Sequence, residues 1–279
     1  MVVSTRIVYT DLDGTMVGPR GSFWHTAGRE LTDGPAAALL DLHRAGVTLV
    51  LVSGRTFEQV VEAARIFAAD GAIAELGATI SWDGGRGVRR LTGEMPAEHS
   101  GRTPMEVLLE DGVVQRLFEE HPGRLEWHAP WHTTHTTDAL LRGHVDPLAV
   151  DAWLAEQGLG WLTLKDNGAL PATVPAASGT VLDPADGPPR IYHLMPRGIS
   201  KGLAIAWDLE RRGIAPADAV AIGDSVSDLE MAPAVGRLWI TANGASVDGM
   251  LGRIETLPNA SVADAAMGEG WAQAVRASL

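Results

Sequence analysis

The sequence predicts an α/β fold in which a helix-covered parallel sheet is interrupted by a second, inserted unit of α+β type. Apolar runs alternate with amphipathic helix patterns at both ends of the chain, the middle is richer in turns, and acidic motifs follow predicted strands. The 279 residues suit one large domain or two smaller ones. A hydrophobic content of 46% is ample for a substantial core, which argues against disorder.

Composition narrows the class of protein. The net charge of −13, from 35 acidic and 22 basic residues, argues against a nucleic-acid-binding surface. The absence of cysteine excludes disulfides and thiolate metal sites. No secretory apolar stretch precedes Asp11, and the apolar run 47–52 is far too short to span a bilayer. We therefore expect a cytoplasmic protein, monomeric or homodimeric, that binds neither membrane nor nucleic acid.

The first part of the chain alternates strand and helix patterns. The expected order is a strand at 6–10, a helix at 32–46, a strand at 47–52, a helix at 56–69, and strand and turn at 72–80. Thr32 or Asp33 is suited to cap the first helix, and Gly46 to end it. The run 47–52 is apolar throughout, as in a strand that is covered on both faces. Such alternation predicts parallel βαβ units.

The sequence pattern changes near Trp82, where strand–helix alternation gives way to a segment richer in turns. Residues 83–190 contain many Gly and Pro turns, strand-like stretches at 124–128, 139–145 and 161–165, and one clear helix at 147–158. The strand–helix alternation resumes at 191–195 and continues to a final helix. We therefore predict a core formed by 1–82 and 191–279, with an α+β unit at 83–190 inserted into it.

Four polar segments lie where a predicted strand ends or a predicted helix begins, at 11–15, 53–55, 200–202 and 223–228. Ligands bind at that edge of open α/β sheets. In the first segment, Asp11 and Asp13 lie two positions apart, and at roughly 5 Å their charges repel by about 3 kcal/mol at an effective dielectric near 20. A bound cation would offset this repulsion; otherwise the segment is a solvated turn.

Most of these residues also have a purely structural explanation. Asp-x-Asp-Gly is common in turns, Ser53 is suited to cap a helix, and an EF-hand is excluded because Thr15 stands at a ligand position. Lys201 is different, because a cation in the first turn opposes the helix dipole. Only two of the 22 basic residues are lysines, Lys165 and Lys201. A compact ammonium kept at this place indicates a role at a phosphate oxygen.

Together the four segments resemble the motifs of the haloacid dehalogenase superfamily of phosphotransferases, in the family's order. DLDGT (11–15) matches the first motif in full, and VSGR, SKG and GDSVSD are similar to the other three. The long insert resembles the large cap of subfamily IIB, often called Cof-type, so the resemblance implies a Rossmann-like core with a cap that sets substrate specificity. Ser227 and Leu76 stand where the family commonly has Asn. The resemblance implies that Ser227 alters a hydrogen bond near the metal site and that Leu76 alters the cap hinge.

The resemblance implies a hydrolase that removes phosphate from a small phosphorylated metabolite, most often a sugar or polyol phosphate. Asp11 would be the nucleophile, Asp13 the general acid and base, and Ser53 and Lys201 would hold phosphate oxygens. The remaining implied substrate contacts are Gly14, Thr15, Gly54 and Arg55. Mg²⁺ would be bound by Asp11, Asp224 and Asp228 and by the backbone carbonyl of Asp13.

The insert offers further candidates in the stretch LEWHAPWHTTHTT (125–137). Pro130 and the threonine pairs disfavour a helix, so the histidine spacing does not predict a zinc site. Trp131, His132 and Arg142 are candidates for contacts to a sugar or polyol phosphate. Alternatively, Trp127 packs within the sheet of the insert and the histidines are ordinary surface or edge residues.

Two other functions remain open at this point. A phosphomutase of the same fold would use the same acids but retain a bisphosphate intermediate, and a non-catalytic phosphosugar-binding protein would keep only the pocket. The retention of both Asp11 and Asp13 argues against the binding protein. A dehalogenase is disfavoured because that branch does not need the metal-binding acids, and a P-type pump is excluded by the missing membrane spans.

Overall fold

A computed structural model describes residues 5–170 and 179–279. The strands are β1 (Ile7–Thr10), β2 (Thr48–Val52), β3 (Gly71–Ala74), β4 (Thr79–Trp82), β5 (Gly87–Arg90), β6 (Leu125–Trp127), β7 (Ala139–Gly143), β8 (Leu162–Ala169), β9 (Arg190–Pro196), β10 (Ala219–Gly223), β11 (Arg237–Ile240) and β12 (Ala260–Val262). The α-helices are α1 (Gly34–Arg44), α2 (Phe57–Ile66), α3 (Pro104–Glu110), α4 (Val113–Glu120), α5 (Pro147–Glu156), α6 (Lys201–Arg212), α7 (Val226–Leu229), α8 (Ala242–Ala245), α9 (Met250–Glu255) and α10 (Met267–Ser278).

The chain divides into two compact units, Met1–Arg90 with Ser200–Leu279, and Leu91–Ile199. The first unit contains an eight-stranded sheet in the order β12-β11-β10-β1-β2-β3-β4-β5. Its strands from β12 to β3 run parallel, and β4 and β5 extend the sheet as an antiparallel hairpin. The predicted parallel α/β core is confirmed.

The central strands β1 and β2 are buried almost throughout, as their unbroken apolar runs require of strands that are covered on both faces. Helices α1 and α10 pack against each other, and buried side chains such as Leu42, Leu49 and Trp271 join one hydrophobic cluster with β1. Among the described residues, no helix combines the length and apolarity needed to cross a bilayer.

The second unit contains an antiparallel four-stranded sheet in the order β6-β7-β9-β8. Its core includes Leu141, Tyr192 and Leu194 on the strands and Leu117 on α4. The helix α5 was predicted from the sequence, whereas α3 and α4 were not. A signal for α3 was present, since Thr103 and Glu106 form a capping box and Pro104 occupies the first helical position.

The boundaries between the units differ from the predicted ones. The segment 87–90, assigned from sequence to the insert, is β5 and pairs with β4 in the large sheet. The segment 191–195, assigned to the core, lies in β9 and pairs with β7 and β8 in the small sheet. Both are short strands whose sheet is chosen by long-range pairing, which local sequence patterns do not reveal.

Candidate active site

Three of the four predicted segments follow neighbouring strands of the sheet, and the fourth begins helix α6. Parallel strands β10, β1 and β2 lie side by side, with Thr10 in register with both Ile222 and Leu51. Asp11 directly follows β1, Ser53 directly follows β2, and Asp224 directly follows β10. The carboxyl ends of three adjacent strands thus present their polar residues at one edge, where open α/β sheets bind ligands.

Lys201 joins two of the acids inside the protein. Its Nζ donates to Asp11 Oδ1 at 2.8 Å and to Asp228 Oδ1 at 2.6 Å, and only 2% of its side chain is exposed. The first residue of α6 therefore carries its cation inward to the strand ends, which explains why a lysine occupies a helix start that the dipole disfavours. Lys201 holds Asp11 in one orientation.

Asp228 is held by the start of the short helix α7. Its Oδ2 accepts hydrogen bonds from the backbone N–H groups of Asp224 and Ser225, at 2.9 and 2.8 Å, and from the Ser225 hydroxyl. Its other oxygen binds Lys201. Asp228 therefore ties the loop after β10 to Lys201. Its predicted role as a metal ligand stays a prediction, and the protein already supplies partners to both of its oxygens.

Asp224 is positioned by the loop after β1 and by helix α8. The Thr15 hydroxyl donates to its Oδ1 at 2.6 Å, and the Asn243 amide donates to its Oδ2 at 3.2 Å. Gly14 adopts φ +85°, and a Cβ there would collide with the Asp224 carboxylate. The predicted substrate contacts of Gly14 and Thr15 stay predictions; in the structure both residues serve to fit the first loop against Asp224.

The negative charges of Asp11, Asp224 and Asp228 exceed the single positive charge of Lys201. Burial is the largest cause that raises the pKa of Asp11, and the charges of Asp228 and Asp224 add to it against the opposing pull of Lys201. Burial and the charge of Asp228 also raise the pKa of Asp224 to about 7. Burial alone would lower the pKa of Lys201. The charges of Asp11 and Asp228 and their hydrogen bonds outweigh burial, so this pKa lies above its ordinary value. One lysine thus faces three acids.

These residues fit a divalent cation. One carboxylate oxygen each from Asp11, Asp224 and Asp228 lie within 4.8 Å of one another. Carboxylate oxygens are the ligands that Mg²⁺ prefers, and a divalent charge would offset the two negative charges that Lys201 leaves unbalanced. The chemistry of the donor set therefore agrees with the predicted cofactor.

Asp13 faces a different partner. Its carboxylate oxygens accept from Nε and Nη2 of Arg55, both at 2.6 Å, and 52% of its side chain is exposed. Arg55, predicted from sequence to contact substrate, thus binds the predicted general acid and base. The structure brings these two residues together from the loops after β1 and β2.

Ser53 and Gly54 form the turn between β2 and α2. Ser53 is buried, its N–H donates to the carbonyl of Ile73 at 2.8 Å, and its hydroxyl accepts from the N–H of Arg55 at 3.2 Å. Gly54 is half-buried. Their predicted contacts with a phosphate group stay predictions.

The three candidates in the second unit differ from one another. Trp131 is exposed, whereas His132 stacks on Trp127 with ring centroids 4.9 Å apart. Arg142 is buried and donates from Nε to Glu126 at 2.7 Å. His132 and Arg142 therefore have packing partners within their own unit, and the substrate contacts predicted for all three stay predictions.

The second unit contains a buried cluster that the sequence did not reveal. Asp138 accepts from Nδ1 of His135 at 2.7 Å and from Nδ1 of His193 at 2.6 Å. Burial alone would raise the pKa of Asp138, but the two imidazoles hold it well below its ordinary value. Each imidazole uses a separate carboxylate oxygen at hydrogen-bond distance, so the arrangement is a His–Asp–His bridge that joins β9 to the segment before β7.

Asn243 is the site residue that sequence reasoning missed. Its Nδ2 donates to the carbonyl of Gly14 at 2.9 Å as well as to Asp224, and its Oδ1 accepts from the N–H of Met267 at 2.7 Å. It therefore joins the loops after β1 and β10 to the start of α10. The sequence TANGA around it is similar to a flanking segment of the family, which was the available signal.

The two departures from the family pattern are accommodated locally. The hydroxyls of Ser227 and Ser225 lie 2.8 Å apart. Leu76 is fully buried with φ +54°, a conformation that Asn adopts more readily than Leu. Gly77 follows with φ +106°, and a Cβ there would collide with the carbonyl of Ser200, directly before Lys201. The turn after β3 thus supports the start of α6.

Comparisons with known proteins agree with this arrangement. Residues 170–247 match the haloacid dehalogenase-like hydrolase family. A phosphoglycolate phosphatase of Methanoculleus marisnigri is 24% identical over 273 residues, which cover 97% of this chain and 95% of the relative.

Solved structures share the fold over nearly the whole chain. Sucrose-phosphatase from Synechocystis sp. PCC6803, in complex with sucrose and phosphate, superposes with a TM-score of 0.64 at 15% identity, covering 99% of this chain and 98% of that one. A sugar phosphatase of haloacid dehalogenase subclass IIB superposes with a TM-score of 0.57 at 14% identity, covering 92% and 94%. The chain is thus similar to haloacid dehalogenase-like hydrolases over residues 170–247 and to phosphatases over nearly its whole length, and its four motifs meet at one sheet edge.

Proposed function

We propose that the protein is a Mg²⁺-dependent phosphomonoester hydrolase that acts through an aspartyl-phosphate on Asp11. The observation that carries this proposal is the buried acidic cluster of Asp11, Asp224 and Asp228, which Lys201 neutralises only in part. Asp11, Asp224 and the backbone carbonyl of Asp13 would hold the ion, with Asp228 bound directly or through water. The ion would supply charge stabilisation to the phosphoryl group and reduce repulsion between it and the carboxylates.

In the first half-reaction, the Asp11 carboxylate attacks phosphorus while the bond from phosphorus to the leaving oxygen breaks. Lys201 holds Asp11 through Oδ1, which fixes its orientation. Asp13 donates a proton to the leaving oxygen, so that an alcohol departs. Ser53 and Lys201 hold the non-bridging oxygens, where charge lies in the transition state.

In the second half-reaction, water attacks phosphorus and the bond to Asp11 breaks, which releases inorganic phosphate. Asp13, now a carboxylate, takes the proton of the attacking water. The solvent exposure of Asp13 suits this exchange, because the side chain must reach a leaving group and then a water molecule. The buried Asp11 is by contrast suited to a single position.

We propose a small phosphorylated metabolite as substrate, with a sugar or polyol phosphate favoured. The named relatives support this class, since they act on phosphoglycolate and on sugar phosphates. The second unit is the proposed cap, with Trp131, His132 and Arg142 as its candidate contacts. We expect a cytoplasmic enzyme that is a monomer or homodimer.

A screen of phosphomonoesters with and without Mg²⁺ tests the proposal. Hexose phosphates, disaccharide phosphates, phosphoglycolate, nucleotides and pyridoxal phosphate are incubated with the enzyme, and both free phosphate and isomeric products are measured. We expect free phosphate, only with Mg²⁺, and a phosphorylated Asp11 in acid-quenched samples by mass spectrometry. Isomer formation would instead indicate a phosphomutase, and ligand binding without turnover would indicate a binding protein.

A further inference from the structure

The contact between Arg55 and Asp13 is a two-point ion pair at the sheet edge that the mechanism above leaves unused. Two nitrogens of one guanidinium reach two oxygens of one carboxylate, each at 2.6 Å. A planar guanidinium with two parallel hydrogen bonds sets the orientation of a carboxylate as well as its charge, which a lysine does not do.

Arg55 is itself held in place. Its backbone N–H donates to the Ser53 hydroxyl at 3.2 Å, and its carbonyl accepts from the N–H of Glu75 at 2.9 Å. Gly21, with φ +70°, lies over the guanidinium, and a Cβ there would come within 3.2 Å of Nη2. Burial alone would lower the pKa of Arg55, but its hydrogen bonds to Asp13 and the nearby charges raise it. The donor is therefore anchored and permanently charged.

Asp13 has no comparable support of its own. Half of its side chain is exposed, whereas Asp11 is almost fully buried against Lys201. An exposed carboxylate samples several rotamers unless a partner restricts it. Arg55 is thus what restricts the Asp13 carboxylate among the contacts described for this residue.

We propose that Arg55 is a positioning residue for Asp13, which holds the Asp13 side chain in the orientation that its two proton transfers need, instead of a residue that binds the substrate phosphate. The inference rests on the proposed function, because it assigns Asp13 the two proton transfers described there. The proton that Asp13 gives to the leaving oxygen comes from the carboxyl group, and the proton it regains comes from the attacking water. Arg55 keeps its own protons throughout.

The test compares Arg55→Gln and Arg55→Lys with the unmodified enzyme on two substrates, p-nitrophenyl phosphate and an alkyl phosphate that the enzyme hydrolyses. Nitrophenolate departs without a proton, so its release in the first turnover does not need Asp13 as an acid. An alkoxide does need that proton. Rapid-quench measurements separate the first turnover from the steady state for each substrate.

For Arg55→Gln we expect the nitrophenolate burst to stay within about threefold of the unmodified rate, while first-turnover cleavage of the alkyl phosphate falls about 10²-fold, as loss of acid catalysis predicts. Steady-state turnover should fall for both substrates, because Asp13 also accepts the proton of water. Arg55→Lys should behave like Arg55→Gln, and added guanidinium ion should restore part of the loss in Arg55→Gln.

Asp13→Asn and the double variant Asp13→Asn/Arg55→Gln complete the design. If Arg55 acts through Asp13, the double variant should be no slower than Asp13→Asn alone. Equal losses in the burst for both substrates with a raised KM, or additive losses in the double variant, would overturn the proposal in favour of phosphate binding. Absence of phosphate release from every tested phosphomonoester by the unmodified enzyme would instead contradict the proposed function itself.

Discussion

Two buried carboxylates in this molecule have opposite environments. Asp11 in the first unit lies among two further acids and one lysine, and the pKa of its carboxyl is raised. Asp138 in the second unit lies between two imidazoles, and its pKa is lowered. Both are largely shielded from water, so the difference comes from their charged neighbours.

The comparison indicates how to separate a reactive carboxylate from a structural one. The bridge of His135, Asp138 and His193 satisfies the carboxylate within the protein, which is typical of a stabilising contact. The cluster around Asp11 leaves negative charge that the described side chains do not balance, which is typical of a site that binds a cation or develops charge during a reaction.

The largest effect is expected for Asp11→Asn. Removal of the proposed nucleophile should lower turnover at least about 10⁴-fold. The free energy of unfolding without Mg²⁺ should not fall, because the change also removes one of three crowded acids. Initial rates with Mg²⁺ and urea unfolding of the metal-free protein measure the two quantities. Turnover above one hundredth of the unmodified rate would exclude Asp11 as the nucleophile.

Asp138→Ala should show the opposite behaviour. The change removes a carboxylate from between two buried imidazoles and should lower the free energy of unfolding by about 3–5 kcal/mol. Asp146→Ala is the matched control, since Asp146 is exposed and caps α5 by a 3.0 Å hydrogen bond from Leu148 N–H; it should cost about 1 kcal/mol. Chemical unfolding measures the free energy of unfolding of both variants. Equal decreases in the two variants would contradict a stabilising role for the His–Asp–His bridge.

Asn243→Ala should weaken Mg²⁺ binding about 10- to 100-fold, because the amide orients Asp224 and ties it to the first loop. Calorimetric titration of the protein with Mg²⁺ measures the dissociation constant without reliance on turnover. Asn259→Ala is a suitable control, as the Asn259 amide donates only to the carbonyls of Ala232 and Val235 among its described bonds. An unchanged dissociation constant in Asn243→Ala would rule out the positioning role.

The smallest effect concerns pH. Asp224 has a pKa of about 7 in the folded state against an ordinary value of 3.8, so the metal-free folded state binds more protons than the unfolded state between these values. Its contribution to stability therefore falls as pH rises through this window. Asp138 acts in the other direction: its contribution is complete above the ordinary value and is lost as pH falls through its depressed pKa.

Thermal unfolding at pH 5 and pH 8, with and without Mg²⁺, checks the pH dependence. We expect Mg²⁺ to raise the melting temperature more at pH 8, where Asp224 is ionised, than at pH 5. In Asp224→Asn this difference should largely disappear. A Mg²⁺ effect of equal size at both pH values would contradict an acidic cluster that titrates in this range.

The acidic cluster around Asp11 could be predicted from the sequence, whereas the bridge of His135, Asp138 and His193 could not. Asp11, Asp224 and Lys201 belong to short motifs, each beside a strand or helix boundary that local patterns reveal. Asp138 and His193 are 55 positions apart, and no motif links them. The pairing of Arg55 with Asp13 and the role of Asn243 likewise depend on contacts between distant loops.

By itself the sequence determined the α/β class, the position of the strand ends and the polar residue types that follow them, because hydrophobic periodicity and turn chemistry act over a few residues. Only the tertiary structure decided that β5 joins the large sheet and β9 the small one, that Lys201 reaches two acids, and that Arg55 binds Asp13. Strand pairing and ion pairs between loops are set by the packing of segments far apart in the chain, and composition and spacing do not encode those distances.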